Sequence, residues 1–153
     1  MAIANVCYRP VDGYAVVEVP VNASYRTVAA WDGVRFACIS TGEAVPPAAL
    51  GDAGTATQNR SAADDAFIGI PVALNADCTV LTVATKGEFR FTQQTAATAV
   101  VGDGIEIYAT EGAASNSQVV GGATDAIGYV TRVKTDGTDT TVIGRIASTV
   151  FPV

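Results

Sequence analysis

Histidine is absent from this chain. Without it there are no imidazole metal ligands, no Ser-His or Cys-His nucleophile pair, and no side chain whose unperturbed pKa lies near neutrality. Most hydrolase mechanisms go with it. Charge is scarce as well: 16% of residues are charged and 49% hydrophobic, against a typical charged share of roughly 25%. A globular chain this sparing with charge favours a surface partly covered by neighbours, as in an oligomer or a larger assembly. Positive charge is the scarcer sign, with nine Lys and Arg against fifteen Asp and Glu and a net charge of -6. The basic residues are scattered along the chain, which argues against a nucleic-acid partner. The acidity itself asks for no more than solubility.

Cysteine is limited to Cys7, Cys38 and Cys78, too few and too far apart for a disulfide framework or a zinc knuckle, and the odd count favours free thiols. No apolar run reaches the roughly 18 residues of a membrane span. The N-terminus, MAIANVCYRP, lacks the charged-then-apolar build of a secretory signal. The expectation is a soluble chain made in a cytoplasm, with no membrane partner.

What the chain does have is β-pattern. At 153 residues it suits one domain with one sizeable core. Residues 67–91, FIGIPVALNADCTVLTVATKGEFRF, read as two strands, a polar turn and a third aromatic-rich strand, with Phe89 and Phe91 inward and Glu88 and Arg90 outward. An echo, IGYVTRVKTDGTDTTVIGRI, begins at Ile127, with the Ile-Gly pair 59 residues after Ile68-Gly69. Two related hairpins framing one sheet system are therefore expected, the second turning at Asp136-Gly137.

The first half reads less regularly. Residues 1–12 show no period and suggest an extended arm. Residues 14–21 then alternate, with Ala15, Val17, Val19 and Val21 on one face, and Pro20 places this strand at an edge or at its own end. Asp32-Gly33 between β-prone runs predicts a two-residue hairpin over residues 25–40, with Trp31 a core anchor. Residues 41–65 carry Pro46, Pro47 and three glycines and read as a long surface loop and candidate contact region. One helical turn at Pro47-Ala48-Ala49-Leu50 would be stopped by Gly51. Residues 111–124 read as a second loop.

Several chemical motifs dissolve on inspection. Asp64-Asp65 suggests metal ligands or half of an acid/base pair, but a solvated loop accounts for them better. Gly102-Asp103-Gly104 lacks the spacing and lysine of a phosphate loop and reads as a turn. Asn22-Ala23-Ser24 and Asn59-Arg60-Ser61 match the glycosylation sequon by chance. Glu88 and Arg90 serve either an intersubunit contact or solubility.

The stretches IGIPVALNADCTVLTVATKGEFRF, VGDGIEIYA, AIGYVTRV and TTVIGRI, in that order, resemble tailed-bacteriophage head decoration (capsid cement) proteins over residues 66–147. The resemblance implies a small all-β domain of β-barrel or β-tulip type. It also implies a homotrimer on the outer surface of the expanded capsid that ties neighbouring copies of the major capsid protein together, with no catalytic, metal or cofactor site. Residues 1–24 would be an N-terminal arm and edge strand, and residues 25–153 the decoration domain with a loop insertion at 41–65. An alternating segment ending at a proline suits strand addition to a capsid edge, which makes Tyr14, Val17 and Val19 the capsid-contact candidates and leaves Glu88 and Arg90 as intersubunit candidates. The bland alternative is that this segment completes the chain's own sheet. Two rival functions stand beside decoration. One is a virion-surface or extracellular glycan-binding module, which needs exposed aromatics, and only 7% of residues are aromatic. The other is a carboxylate enzyme such as a glycosidase, which needs two inward acids at a set separation.

Overall fold

Alternating Val, Ile and Thr segments satisfy their backbone groups by pairing, and in the computed structural model of the chain they do so throughout. The structure describes residues 7–9, 15–94, 99–122, 126–133 and 141–151. Its strands are β1 (Cys7–Arg9), β2 (Val16–Pro20), β3 (Ala37–Ser40), β4 (Glu43–Val45), β5 (Phe67–Leu74), β6 (Val80–Ala84), β7 (Lys86–Gln93), β8 (Gly104–Ala109), β9 (Ala114–Gly122), β10 (Gly128–Val133) and β11 (Thr141–Ala147). Two α-helices join them, α1 (Val28–Trp31) and α2 (Ala56–Asp65). The domain is all-β.

The expected antiparallel barrel is present, and the chain builds it twice. The first barrel has the order β2-β6-β5-β3-β4, closed by a parallel bridge between Val21 and Ala44. The second has the order β7-β11-β10-β8-β9, closed by a parallel pairing of β7 with β9, and β1 lies against β7. Replacing β2 to β6 by β7 to β11 in turn converts one order into the other. Hydrogen bonds at the closures correspond too: the Asn22 N–H donates to the Ala44 carbonyl at 3.1 Å, and the Gln94 N–H to the Val119 carbonyl at 2.9 Å.

The two hairpins detected in the sequence are the matching halves of these barrels, so they frame two sheets rather than one. Ile70 opposite Ala84 corresponds to Tyr129 opposite Arg145, and Leu74 opposite Leu81 to Val133 opposite Val142. Each first strand slips register at the same place, at Val72 and at Thr131. The repeated Ile-Gly has a steric cause. A Cβ on Gly69, held at φ 149°, would run into the Ala84 carbonyl oxygen, and one on Gly128 would run into the equivalent oxygen of Arg145. Only glycine lets the strands approach this closely.

The first barrel is filled by Val19, Val21, Ala37, Ala44, Ile68, Leu74, Leu81 and Val83, and is capped by Trp31, Val34 and the tail residues Val150 and Phe151. The second holds Phe89, Phe91, Ile105, Ile107, Val119 and Val142. Its core runs on without a break into Phe36, Cys38, Phe67 and Ile70 of the first half. Phe36 makes the join, stacked on Phe91 at 5.7 Å and edge-on to Phe67 at 6.4 Å.

Several local expectations give way to tertiary packing. The Asp32-Gly33 hairpin is not formed: a 3-10 turn at Ala23–Tyr25 and α1 occupy its first arm. The Thr27 hydroxyl caps α1 by accepting from the Ala30 N–H at 3.2 Å, and Trp31 Nε1 donates to the Tyr25 carbonyl at 3.0 Å. That bond needs the compact turn, and it leaves Trp31 1% exposed, where truncation to alanine costs about 3–5 kcal/mol. The 41–65 segment is not a loop but β4, a 3-10 turn at Pro47–Leu50 and α2. The expected single turn before Gly51 is present. Residues 114–122, expected as loop, form β9, because barrel closure supplies partners to a run of weak strand formers. The Asp136-Gly137 turn lies outside the described residues.

Candidate interaction face

Strand register gathers on the outside of the second barrel what the sequence scatters. Across β7, β11 and β10, Glu88, Arg145 and Tyr129 form one row, and Arg90, Ile143 and Arg132 the next on the same face. Lys86 extends it by two residues along β7. The alternate row, Phe89, Gly144 and Val130, points inward, and a Cβ on Gly144 would collide with Ile105. Strands β7, β10 and β11 thus carry four of the chain's nine basic residues, Lys86, Arg90, Arg132 and Arg145, and one carboxylate, Glu88.

The face is shaped as well as charged. At one end lies an open cleft of about 510 Å³ whose walls include Lys86, Gly87, Gly128, Tyr129, Arg145 and Ser148. Among the described residues, Lys86 and Arg145 are its only charged lining residues. The Arg145 Nε is buried, with no hydrogen-bond partner among the described residues. At the other end, Arg90, Arg132 and Ile143 line a small depression of about 30 Å³. Beside Tyr129 rises an apolar lip, Val100 and Val101, exposed at 59% and 63%, with Tyr129 at 44%. The lip is fixed to β10 by the Gly102 N–H on the Val130 carbonyl at 2.9 Å, and its turn is tied by Asp103 Oδ2 accepting from the Val100 N–H at 3.0 Å.

Elsewhere among the described residues most buried polar groups make internal bonds, although the Arg60 Nε, like that of Arg145, has no hydrogen-bond partner there. Asp64, expected in solvent, is buried at the end of α2, where its Oδ1 accepts the Ile107 N–H at 3.0 Å. In the first barrel the corresponding N–H, that of Ile39, goes to the Ala66 carbonyl. A side chain from α2 therefore substitutes for backbone in the second barrel. Arg60 pairs with Glu106 at 3.0 Å. Asn59 Nδ2 bonds the Thr110 and Glu111 carbonyls and Asp52, stapling α2 to the turn after β8. Burial, then the nearby Asp64 charge, pushes the Cys38 thiol far above its ordinary value.

Of the residues singled out from the sequence, Arg90 is exposed on this face as expected. Glu88 is not outward in solvent: flanked by β1 and β11, it is only 7% exposed. Val17 and Val19 lie in β2, paired with β6, Val17 half-buried and Val19 in the first core. Tyr14 lies outside the described residues. Lys86, Arg132 and Arg145 were missed as a group, since their nearness depends on pairing across the barrel. Among the described residues, no three His, Cys, Asp or Glu stand together as a metal-ligating group, and no helix is long and apolar enough to cross a membrane. No protein-family model and no curated protein matches the chain.

Proposed function

We propose that this chain is a tailed-phage head decoration protein, a structural virion component that binds the outer surface of the expanded capsid as a homotrimer and cements neighbouring major capsid protein subunits. The observation that carries the reading is the basic, apolar-lipped face of the second barrel on a molecule of net charge -6. A surface of one sign on a body of the other is suited to orienting a protein partner. The ordered stretches over residues 66–147 that resemble decoration proteins, and the low charge content, support the same reading. A cement works by binding the expanded shell better than its precursor, shifting the equilibrium by that difference in free energy. Three linked copies let individually weak contacts suffice through effective concentration. No cofactor and no catalytic step belong to this role, which is played on the virion exterior after synthesis in the host cytoplasm.

The test is co-sedimentation of the purified protein with expanded and with precursor shells of the parent phage, followed by image reconstruction. Binding to expanded shells alone, with density at threefold and local threefold positions, is the expected result. Equal binding to both forms, or to neither, would overturn the proposal.

A further inference from the structure

The face on β7, β11 and β10 has a sign, a length and a shape, and together they specify an occupant. We infer that it is the docking surface for an extended, carboxylate-bearing segment of a partner protein. The inference rests on the reading that this chain works by binding another protein, and it names the chemistry of the segment bound.

Charge supplies the first argument. Among the described residues of these three strands four cations meet one carboxylate, which is buried, and the Asp103 carboxylate at the lip is bonded to the Val100 N–H, while the whole chain has six more acids than bases. Among the described residues, the corresponding face of the first barrel carries no cation. Glu18 occupies the place of Arg90, Ala73 that of Arg132 and Ala84 that of Arg145. The two barrels share a backbone plan, so the basic face is a property of the second barrel's side chains and not of the fold.

Spacing supplies the second. Lys86 and Arg90 are four residues apart on one strand, roughly 13 Å, and Arg90 and Arg132 are two strand spacings apart, roughly 10 Å. An extended peptide offers carboxylates on one side at intervals of roughly 7 Å, so it can engage these cations in succession. The cleft gives it somewhere to end. There Arg145 carries a buried Nε without a hydrogen-bond partner among the described residues, and the lip of Val100, Val101 and Tyr129 takes an apolar neighbour of the acids. A nucleic-acid strand would meet the same cations, but with a phosphate on every nucleotide and no apolar side chain for the lip it fits the face less well than a segment that alternates acids with apolar residues.

The probe is an eight-residue peptide alternating glutamate and alanine, capped at both ends. It is compared with its glutamine counterpart and with an eight-nucleotide thymidine strand, by calorimetry at low salt and by amide shift mapping on the full chain. The expected result is that the glutamate peptide binds and shifts residues of β7, β10 and β11, that the glutamine peptide does not bind, and that affinity falls with salt. The double variant R90Q/R132Q changes two exposed side chains; compared well below its own measured melting temperature, its affinity for the glutamate peptide should fall at least about tenfold, or about 1.4 kcal/mol. Equal affinity in the variant, equal binding of the glutamine peptide, shifts mapping elsewhere, or tighter binding of the oligonucleotide would each overturn the inference. The same variant separates this inference from the decoration reading. If R90Q/R132Q loses the peptide yet fills expanded shells as well as the parent protein, decoration stands and this docking surface falls as its basis. If the parent protein binds the peptide here but no shell, decoration falls and the docking surface stands.

Discussion

Cys38 illustrates how one residue reports its surroundings. It is fully buried, its Sγ 3.5 Å from the Ala63 carbonyl, and burial followed by Asp64 raises its pKa. The folded state therefore holds the proton more tightly than the unfolded chain, whose thiol titrates near 9.0. This contribution to stability is fully present below that value and is lost as pH rises above it. The Cys38→Ala variant lacks the term, so the stability difference between parent and variant should move against the parent by about 1.4 kcal/mol between pH 8 and pH 10. Denaturant melts at the two pH values measure it, and a difference that does not move with pH would place Cys38 in contact with water. Cys38 and Cys78 are both free thiols, two of the three that the odd count favours, and the Cys7 side chain lies outside what the structure describes. Glu88 shows the limit at this scale. Alternation correctly places it opposite Phe89, but whether the outer face meets water depends on β1 and β11, which alternation cannot see.

At the scale of elements, β2 decides between two readings of the N-terminal segment. Its five residues pair one by one with β6, from Val16 opposite Ala84 to Pro20 opposite Val80, and Val19 sits in the first core. β2 is a strand of its own barrel, paired along its length with β6 alone and ending at Pro20, just before the closing bridge at Val21, as a residue without an N–H should. Deleting residues 1–20 should therefore unfold the first barrel, lowering the melting temperature by more than about 10 °C or abolishing the transition, since about 1 kcal/mol corresponds to several degrees in a chain of this size. Circular dichroism decides it, and a truncated protein that melts within a few degrees of the parent would restore the segment as a detachable arm. Helix α2 is the element that hydrophobic period could not find. It buries Asn59, Ala63 and Asp64, so it has no apolar stripe to detect. Its start was nonetheless written in the chain: Thr55 and Gln58 form a reciprocal capping box, with Gln58 N–H to Thr55 Oγ1 at 3.2 Å and Thr55 N–H to Gln58 Oε1 at 2.9 Å.

For the whole molecule the question is whether two barrels make two folding units. Phe36 leaves the first half to stack on Phe91 inside the second, and one apolar cluster spans both. The tail returns the other way, with the Thr149 N–H on the Phe67 carbonyl at 3.1 Å and Val150 and Phe151 against the first core. Neither barrel closes its own ends, so thermal unfolding should be a single transition with equal calorimetric and van't Hoff enthalpies. Two resolved transitions in scanning calorimetry would show that the barrels are independent.

Strand content, the Ile-Gly repeat and the inward Phe89 and Phe91 were legible in the sequence because each depends on neighbours one to four positions away or on direct self-similarity, whereas Trp31 lies in the core as expected but at the end of a helix and not in the expected hairpin, bonded to Tyr25 six residues back. The second barrel was half legible, since its hairpin repeats that of the first. Its closing strand β9 was not, because Ala, Ser, Asn and Gln become a strand only when β8 and β7 supply partners. The candidate site was the least legible of all. Lys86, Arg90, Arg132 and Arg145 look scattered along the chain, and register alone sets them side by side, because neighbours across a barrel are chosen by hydrogen-bond pairing and not by distance in sequence.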